Sequence, residues 1–89
     1  MPKHNKNVEG VNLSLEKLAD SIGYLSYDST RDFLKYLADN LREQADADLN
    51  LRNRKRLAAE LYSAADSIEQ AYFYVDRAWE ICEPYMRDK

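Results

Sequence analysis

The chain holds a single cysteine, Cys82, and a single histidine, His4. One cysteine excludes an internal disulfide and fits a reducing compartment, so a cytoplasmic location is expected. One histidine, six residues before Gly10, excludes most of the chemistry that side chain carries. Cys82 has no imidazole to raise its thiolate fraction, and no Ser–His–acid set can be assembled from the serines present. Di-iron helical bundles need Glu-x-x-His motifs on two helices, and this sequence offers none. Glycine and proline number two each, too few for a turn-rich β architecture. No apolar run approaches the roughly 20 residues that a membrane-spanning helix needs. The first ten residues carry Lys3, His4 and Lys6 but no apolar stretch of the signal-peptide type. Positive charge is also in deficit. Thirteen Lys and Arg against sixteen Asp and Glu give a formal net charge of −3. That balance argues against a general nucleic-acid binder, which must neutralise several phosphates.

What is present is helical rhythm. Leu57, Leu61, Ala64, Ile68, Ala71, Val75, Ala78, Cys82 and Tyr85 follow one another at alternating spacings of four and three. At about 100° per residue this keeps one apolar stripe along a helix. The stripe passes Ala64 and Ile68 without a phase slip, which favours one helix from the basic run to Glu83, about 48 Å long, ended by Pro84. A break near Ser63 to Ser67, giving four shorter helices, is the alternative. Upstream, Val11, Leu15, Leu18, Ile22 and Leu25 mark a first helix capped by Asn12 or Ser14. A second begins at Asp28 or Ser29, with Ser29 and Asp32 forming an approximate capping box. Its inner face reads Phe33, Leu34, Leu37, Leu41 and Ala45, with Lys35, Asp39, Arg42, Glu43 and Asp46 outside. Tyr24, Tyr27 and Tyr36 are expected to line the inner surface with their hydroxyls reaching water. The apolar pattern stops near Asp48 to Asn50, where the chain is expected to turn, or a few residues later. The expected architecture is all-α: a three-helix up-down antiparallel bundle formed by residues 11–89, preceded by a flexible arm, residues 1–10.

Four constellations bear on function. Arg52, Arg54, Lys55 and Arg56 form a basic elbow, able to meet phosphate or an acidic partner but lacking aromatics for base stacking and any Gly-rich loop. Lysine and arginine in a first helical turn also oppose the helix dipole. The pairs Glu80/Glu83 and Glu43/Asp46 each share a helix face, where solvated surface charge is the ordinary reading. Cys82 sits on the apolar stripe as a small hydrophobe. The last constellation is aromatic. Tyr72, Phe73, Tyr74, Trp79, Tyr85 and Met86 crowd the C-terminal half of the third helix, all but Phe73 within about half its circumference. An arc that wide touches neighbours on two sides, and Tyr and Trp favour interfaces. Phe73 stands among Glu69, Asp76, Arg77 and Glu80, open to a partner or to the N-terminal arm.

These observations predict a non-enzymatic protein–protein interaction module, an adaptor, regulator or assembly subunit. Self-association into a homodimer through Tyr72, Phe73, Tyr74, Trp79 and Met86 is the expected mode, with neither cofactor nor metal. The alternative is a nucleic-acid or phosphate-binding module using the basic elbow; a metal-dependent enzyme built on the acidic pairs ranks below both.

Overall fold

In the computed structural model, residues 4–87 are described, with side chains to Tyr85. Among them are three helices, α1 (Leu15–Gly23), α2 (Tyr27–Asn50) and α3 (Lys55–Arg87), and no strand. Helix α1 is capped by Ser14, whose hydroxyl accepts the Lys17 N–H at 3.2 Å. It ends at Gly23, with the Tyr24 N–H returning to the Asp20 carbonyl at 3.0 Å.

Helix α2 opens at Tyr27, one or two residues earlier than its sequence signals suggest. Ser26 is the N-cap residue, but its hydroxyl donates to the Asp28 carboxylate rather than accepting a backbone N–H. Asp28 takes over that work and accepts the Ser29 N–H at 2.9 Å. The Ser26 hydroxyl, and then the Ser29 N–H, hold the Asp28 carboxyl below its usual pKa. The Ser29–Asp32 capping box is therefore not formed, and Asp32 instead accepts from Arg31 at 3.0 Å. The turn expected at Asp48 to Asn50 lies further on, at residues 51–54. Asn53 takes φ 54° there, a left-handed conformation that asparagine tolerates better than most residues. Asp48, 4% exposed, braces the turn: its carboxylate accepts from Arg52 at 3.1 Å and its carbonyl from the Arg54 N–H at 2.7 Å.

Helix α3 is continuous from Lys55 to Arg87, and the break near Ser63 to Ser67 does not occur. Pro84 does not stop it. Proline forfeits one backbone hydrogen bond, to the carbonyl four residues back, and its fixed φ still suits a helix; so close to the helix end that loss is tolerated. Thirty-three residues span about 50 Å, which accounts for the 53 Å long axis of the molecule.

The packed unit is α2 against α3. Arg31 meets Asp76, Arg42 meets Asp66, and Asp46 meets Tyr62, so numbers rise in one helix as they fall in the other. The helices are antiparallel. Between them the buried apolar residues are Ala38, Ala45, Ala58 and Ala65, in pairs seven residues apart. Among the described residues no large side chain is fully buried. Alanine at the contact lets two helices approach at the short end of the usual 8–10 Å.

This places the α3 contact one residue away from the expected stripe. Ala58 and Ala65 are enclosed, whereas Leu57 and Ala64 are exposed. On α2 the inner face is likewise offset: Ala45 is buried, Leu34 and Leu41 are half-buried, and Phe33 and Leu37 are exposed. Tyr24, Tyr27 and Tyr36 do not line an interior; all three are exposed, Tyr24 almost completely. Helix α1 lies against the first turns of α2, where the Thr30 hydroxyl donates to the Ile22 carbonyl at 3.0 Å.

Candidate functional site

A pair of antiparallel helices has two flat sides, and here the sides differ in kind. One is polar. Arg31 spans from Asp32 to Asp76 at 3.0 and 2.9 Å, and Arg42 reaches Asp66 and Glu69 at 2.9 and 3.2 Å. The Tyr62 hydroxyl donates to Asp46. These partners push both guanidinium pKa values up, Arg31 chiefly through Asp32 and Arg42 chiefly through Asp66. Asp46 also raises Tyr62, because a carboxylate beside the hydroxyl disfavours phenolate. A cleft of about 210 Å³ lies on this side, with Lys35, Asp39 and Arg42 on one wall and Glu69, Tyr72 and Phe73 on the other.

The opposite side is apolar. The helical turn carries Phe33, Leu34, Leu37 and Leu41 away from Arg42 and Asp46, and carries Leu57, Leu61, Ala64, Ile68, Ala71, Val75 and Ala78 away from Asp66 and Glu69. Helix α1 occupies one end of it. A groove of about 310 Å³ is lined by Leu15, Leu18 and Ile22 of α1 and by Thr30, Phe33 and Leu34 of α2. No α3 residue lines that groove. Along the rest of this side Leu37, Leu57 and Ala64 are exposed and Leu41, Leu61, Ile68, Ala71, Val75 and Ala78 half-buried, while Tyr74, Ile81 and Tyr85 stand exposed on the back of α3, away from α2.

The predicted aromatic set is dispersed. Tyr72 is half-buried, continues the seven-residue series of Ala58 and Ala65, and meets Phe73 edge to face, with centroids 5.3 Å apart and planes at 77°. Phe73 stands on the polar side, 47% exposed at the mouth of the cleft. Tyr74 lies on the outer surface, with the Arg77 guanidinium 5.3 Å from its ring centre. Trp79 is half-buried, one further step of seven beyond Tyr72. The side chain of Met86 lies outside the described residues. In the basic elbow, Arg52 is half-buried against Asp48, and Arg54, Lys55 and Arg56 are exposed together at the tip. Of the acidic pairs, Glu43 and Glu80 face solvent and Asp46 is engaged by Tyr62. Among the described residues no three acidic, histidine or cysteine side chains converge as metal ligands, and no helix is long and apolar enough to cross a membrane.

The apolar side built by Leu37, Leu41, Leu57, Leu61, Ile68 and Val75 was visible in the sequence, but as an interior. Its incomplete burial follows from the position of the alanines, which claim the contact between α2 and α3. No family model, no curated protein and no solved structure matches this chain.

Proposed function

We propose that this chain is a protein–protein interaction module, an assembly subunit that acts by self-association and not by catalysis. One observation supports the proposal: the hairpin encloses only alanines between its helices and leaves its larger apolar side chains half-buried or exposed. The exposed area supports it. A compact monomer of 10.4 kDa exposes about 5,400 Å² by the general size scaling, and this chain exposes 7287 Å². Elongation accounts for part of the excess of roughly 1,900 Å²; a standard interface covers about 800 Å² on each partner. The up-down antiparallel bundle suggested by the sequence then takes its complete form between copies, with apolar faces layered together. A homodimer is the simplest closed arrangement of that kind.

Sedimentation velocity at micromolar concentration tests this. The wild type is expected at twice 10.4 kDa. Leu57→Asp is expected to weaken association roughly tenfold or more, because it buries a carboxylate in an apolar contact. Leu57 is 44% exposed in the single chain, so the circular-dichroism helix signal should not change. A wild-type protein that remains at 10.4 kDa as concentration rises would refute the proposal.

A further inference from the structure

We infer that the tip of the α2–α3 hairpin is a contact for an anionic lipid surface. Leu51 enters the headgroup boundary of the bilayer, and Arg54, Lys55 and Arg56 meet the lipid phosphates. The observation behind this is a juxtaposition. Leu51 closes α2 and is 81% exposed, more than any other large aliphatic side chain among the described residues. Leu49, two residues before it, is exposed as well. Within the next five residues stand the three exposed cations, and among the described residues none of them makes an ion pair. Arg52 is the one cation of the tip that is engaged, by Asp48 at 3.1 Å. At a membrane surface a leucine leaves water while lysine and arginine keep their charged heads among the lipid headgroups. A nucleic acid uses the cations alone and gives Leu51 no role, so the lipid surface accounts for more of the tip.

The charge of the rest of the chain sets the orientation. Residues 48–56 hold four cations and one carboxylate, in a chain whose formal net charge is −3. Everything beyond the tip is therefore strongly acidic and is repelled by an anionic surface. Helix α3 runs the length of the 53 Å long axis, so its first turn and the turn at residues 51–54 form one end of the molecule. Helix α1 lies against the first turns of α2, toward the other end. The molecule meets the surface end-on, tip first. Lys55 and Arg56 sit in the first turn of α3, at the positive end of its dipole. Lipid phosphates at that point relieve a conflict that the single chain retains. The contact uses neither the alanine seam nor the apolar side of the hairpin, so it stands apart from the self-association proposed above.

Vesicle co-sedimentation tests this, with vesicles of phosphatidylcholine alone and vesicles in which roughly a third of the lipid is phosphatidylserine. The full chain is expected to bind the second and not the first. Binding should fall as ionic strength rises from roughly 0.01 to 0.1 M, because the screening length shortens from about 30 to about 10 Å. Arg54→Gln, Lys55→Gln and Arg56→Gln together should lower the partition coefficient about 100-fold. Leu51→Ser should lower it about tenfold. All four positions are exposed, so the circular-dichroism helix signal should not change. A polarity-sensitive fluorophore on Leu51→Cys, in a Cys82→Ser background, should shift to the blue on the anionic vesicles. The same fluorophore on Ser21→Cys, exposed on α1, should not. Equal binding to both kinds of vesicle, or none to the anionic ones at low ionic strength, overturns the proposal. Anionic binding that leaves Leu51→Ser and the Leu51→Cys fluorophore unaffected also overturns it, as adsorption by charge alone. Duplex DNA bound more tightly than the vesicles, with Leu51→Ser without effect, replaces it by a nucleic-acid site. Each of these outcomes is read apart from the sedimentation of the free chain, so this proposal and self-association fail separately.

Discussion

The alanine contact between α2 and α3 makes a sharp prediction. Ala65 has no exposed surface, and neither the 210 Å³ nor the 310 Å³ cleft is lined by it. Ala65→Leu adds three carbon atoms at an enclosed point that neither cleft reaches. Enclosed in empty space they would stabilise by about 2 kcal/mol through burial. In a filled contact they must push the helices apart or take a poor rotamer, and the net expectation is a loss of about 1–3 kcal/mol. Ala59→Leu is the control. It makes the same chemical change on the same helix, at an exposed position away from both α2 and the apolar side, where helix propensity changes little and the effect should stay within about 0.5 kcal/mol. Urea unfolding followed by circular dichroism measures the difference. With a slope of about 1–2 kcal/mol per molar urea, a 2 kcal/mol loss lowers the midpoint by roughly 1–2 M. Equal midpoints for the two variants would show that the helices are not held at alanine distance, and the division into a closed alanine contact and an incompletely buried leucine side would fall with it.

Two further predictions concern the ends of α2. Asp48→Asn keeps the shape of the side chain but removes the charge facing Arg52 in a nearly closed turn; a loss of about 1–3 kcal/mol in thermal unfolding is expected, and an unchanged midpoint would mean that the turn does not depend on that ion pair. At the other end, Ser26→Ala removes the largest cause of the lowered Asp28 pKa, so an NMR titration should show it rise toward the ordinary aspartate range. Since the folded value lies below the unfolded one, the stabilisation linked to Asp28 is present above about pH 4 and is lost as pH falls through the folded pKa; an Asp28 titration unmoved by the substitution would refute the cap.

Most of the helical content was readable from spacing alone. The Ser14 cap and the unbroken α3 needed no tertiary information, because periodicity and capping are local. The phase of the contact was not readable in the same way. Alanines stand in adjacent pairs at 58 and 59 and at 64 and 65, so periodicity assigns either member to the inside. Leu57, Leu61, Ile68 and Val75 weight the stripe toward themselves, and the stripe follows the largest side chains. The α2–α3 contact follows the smallest ones instead. The informative signal was the pair of seven-residue steps, Ala38 to Ala45 and Ala58 to Ala65, which mark a close antiparallel approach. The dispersal of Tyr72, Phe73 and Tyr74 was hidden for a related reason. Consecutive residues of a helix point about 100° apart, so a cluster in sequence is spread around the cylinder: Phe73 on the polar side, Tyr74 on the outside and Tyr72 between.

The same division bears on the self-association proposed above. A two-helix layer gains little from an alanine contact, since each buried methyl contributes on the order of 1 kcal/mol and ordering a residue costs a comparable amount. Ion pairs on the polar side fix the register of α2 on α3, yet exposed pairs of this kind add little stability. The larger apolar side chains, half-buried at Leu41, Leu61, Ile68 and Val75 and exposed at Leu37 and Leu57, retain surface that a second apolar layer would cover. Helix α1 supplies such a layer for the first turns of α2. The stability of this chain should consequently depend on its own concentration, with the unfolding midpoint rising as more chain is added, as mass action requires when folding and association are coupled. A midpoint independent of concentration over a hundredfold range would place the stabilising contacts within the single chain and leave the apolar side without that role.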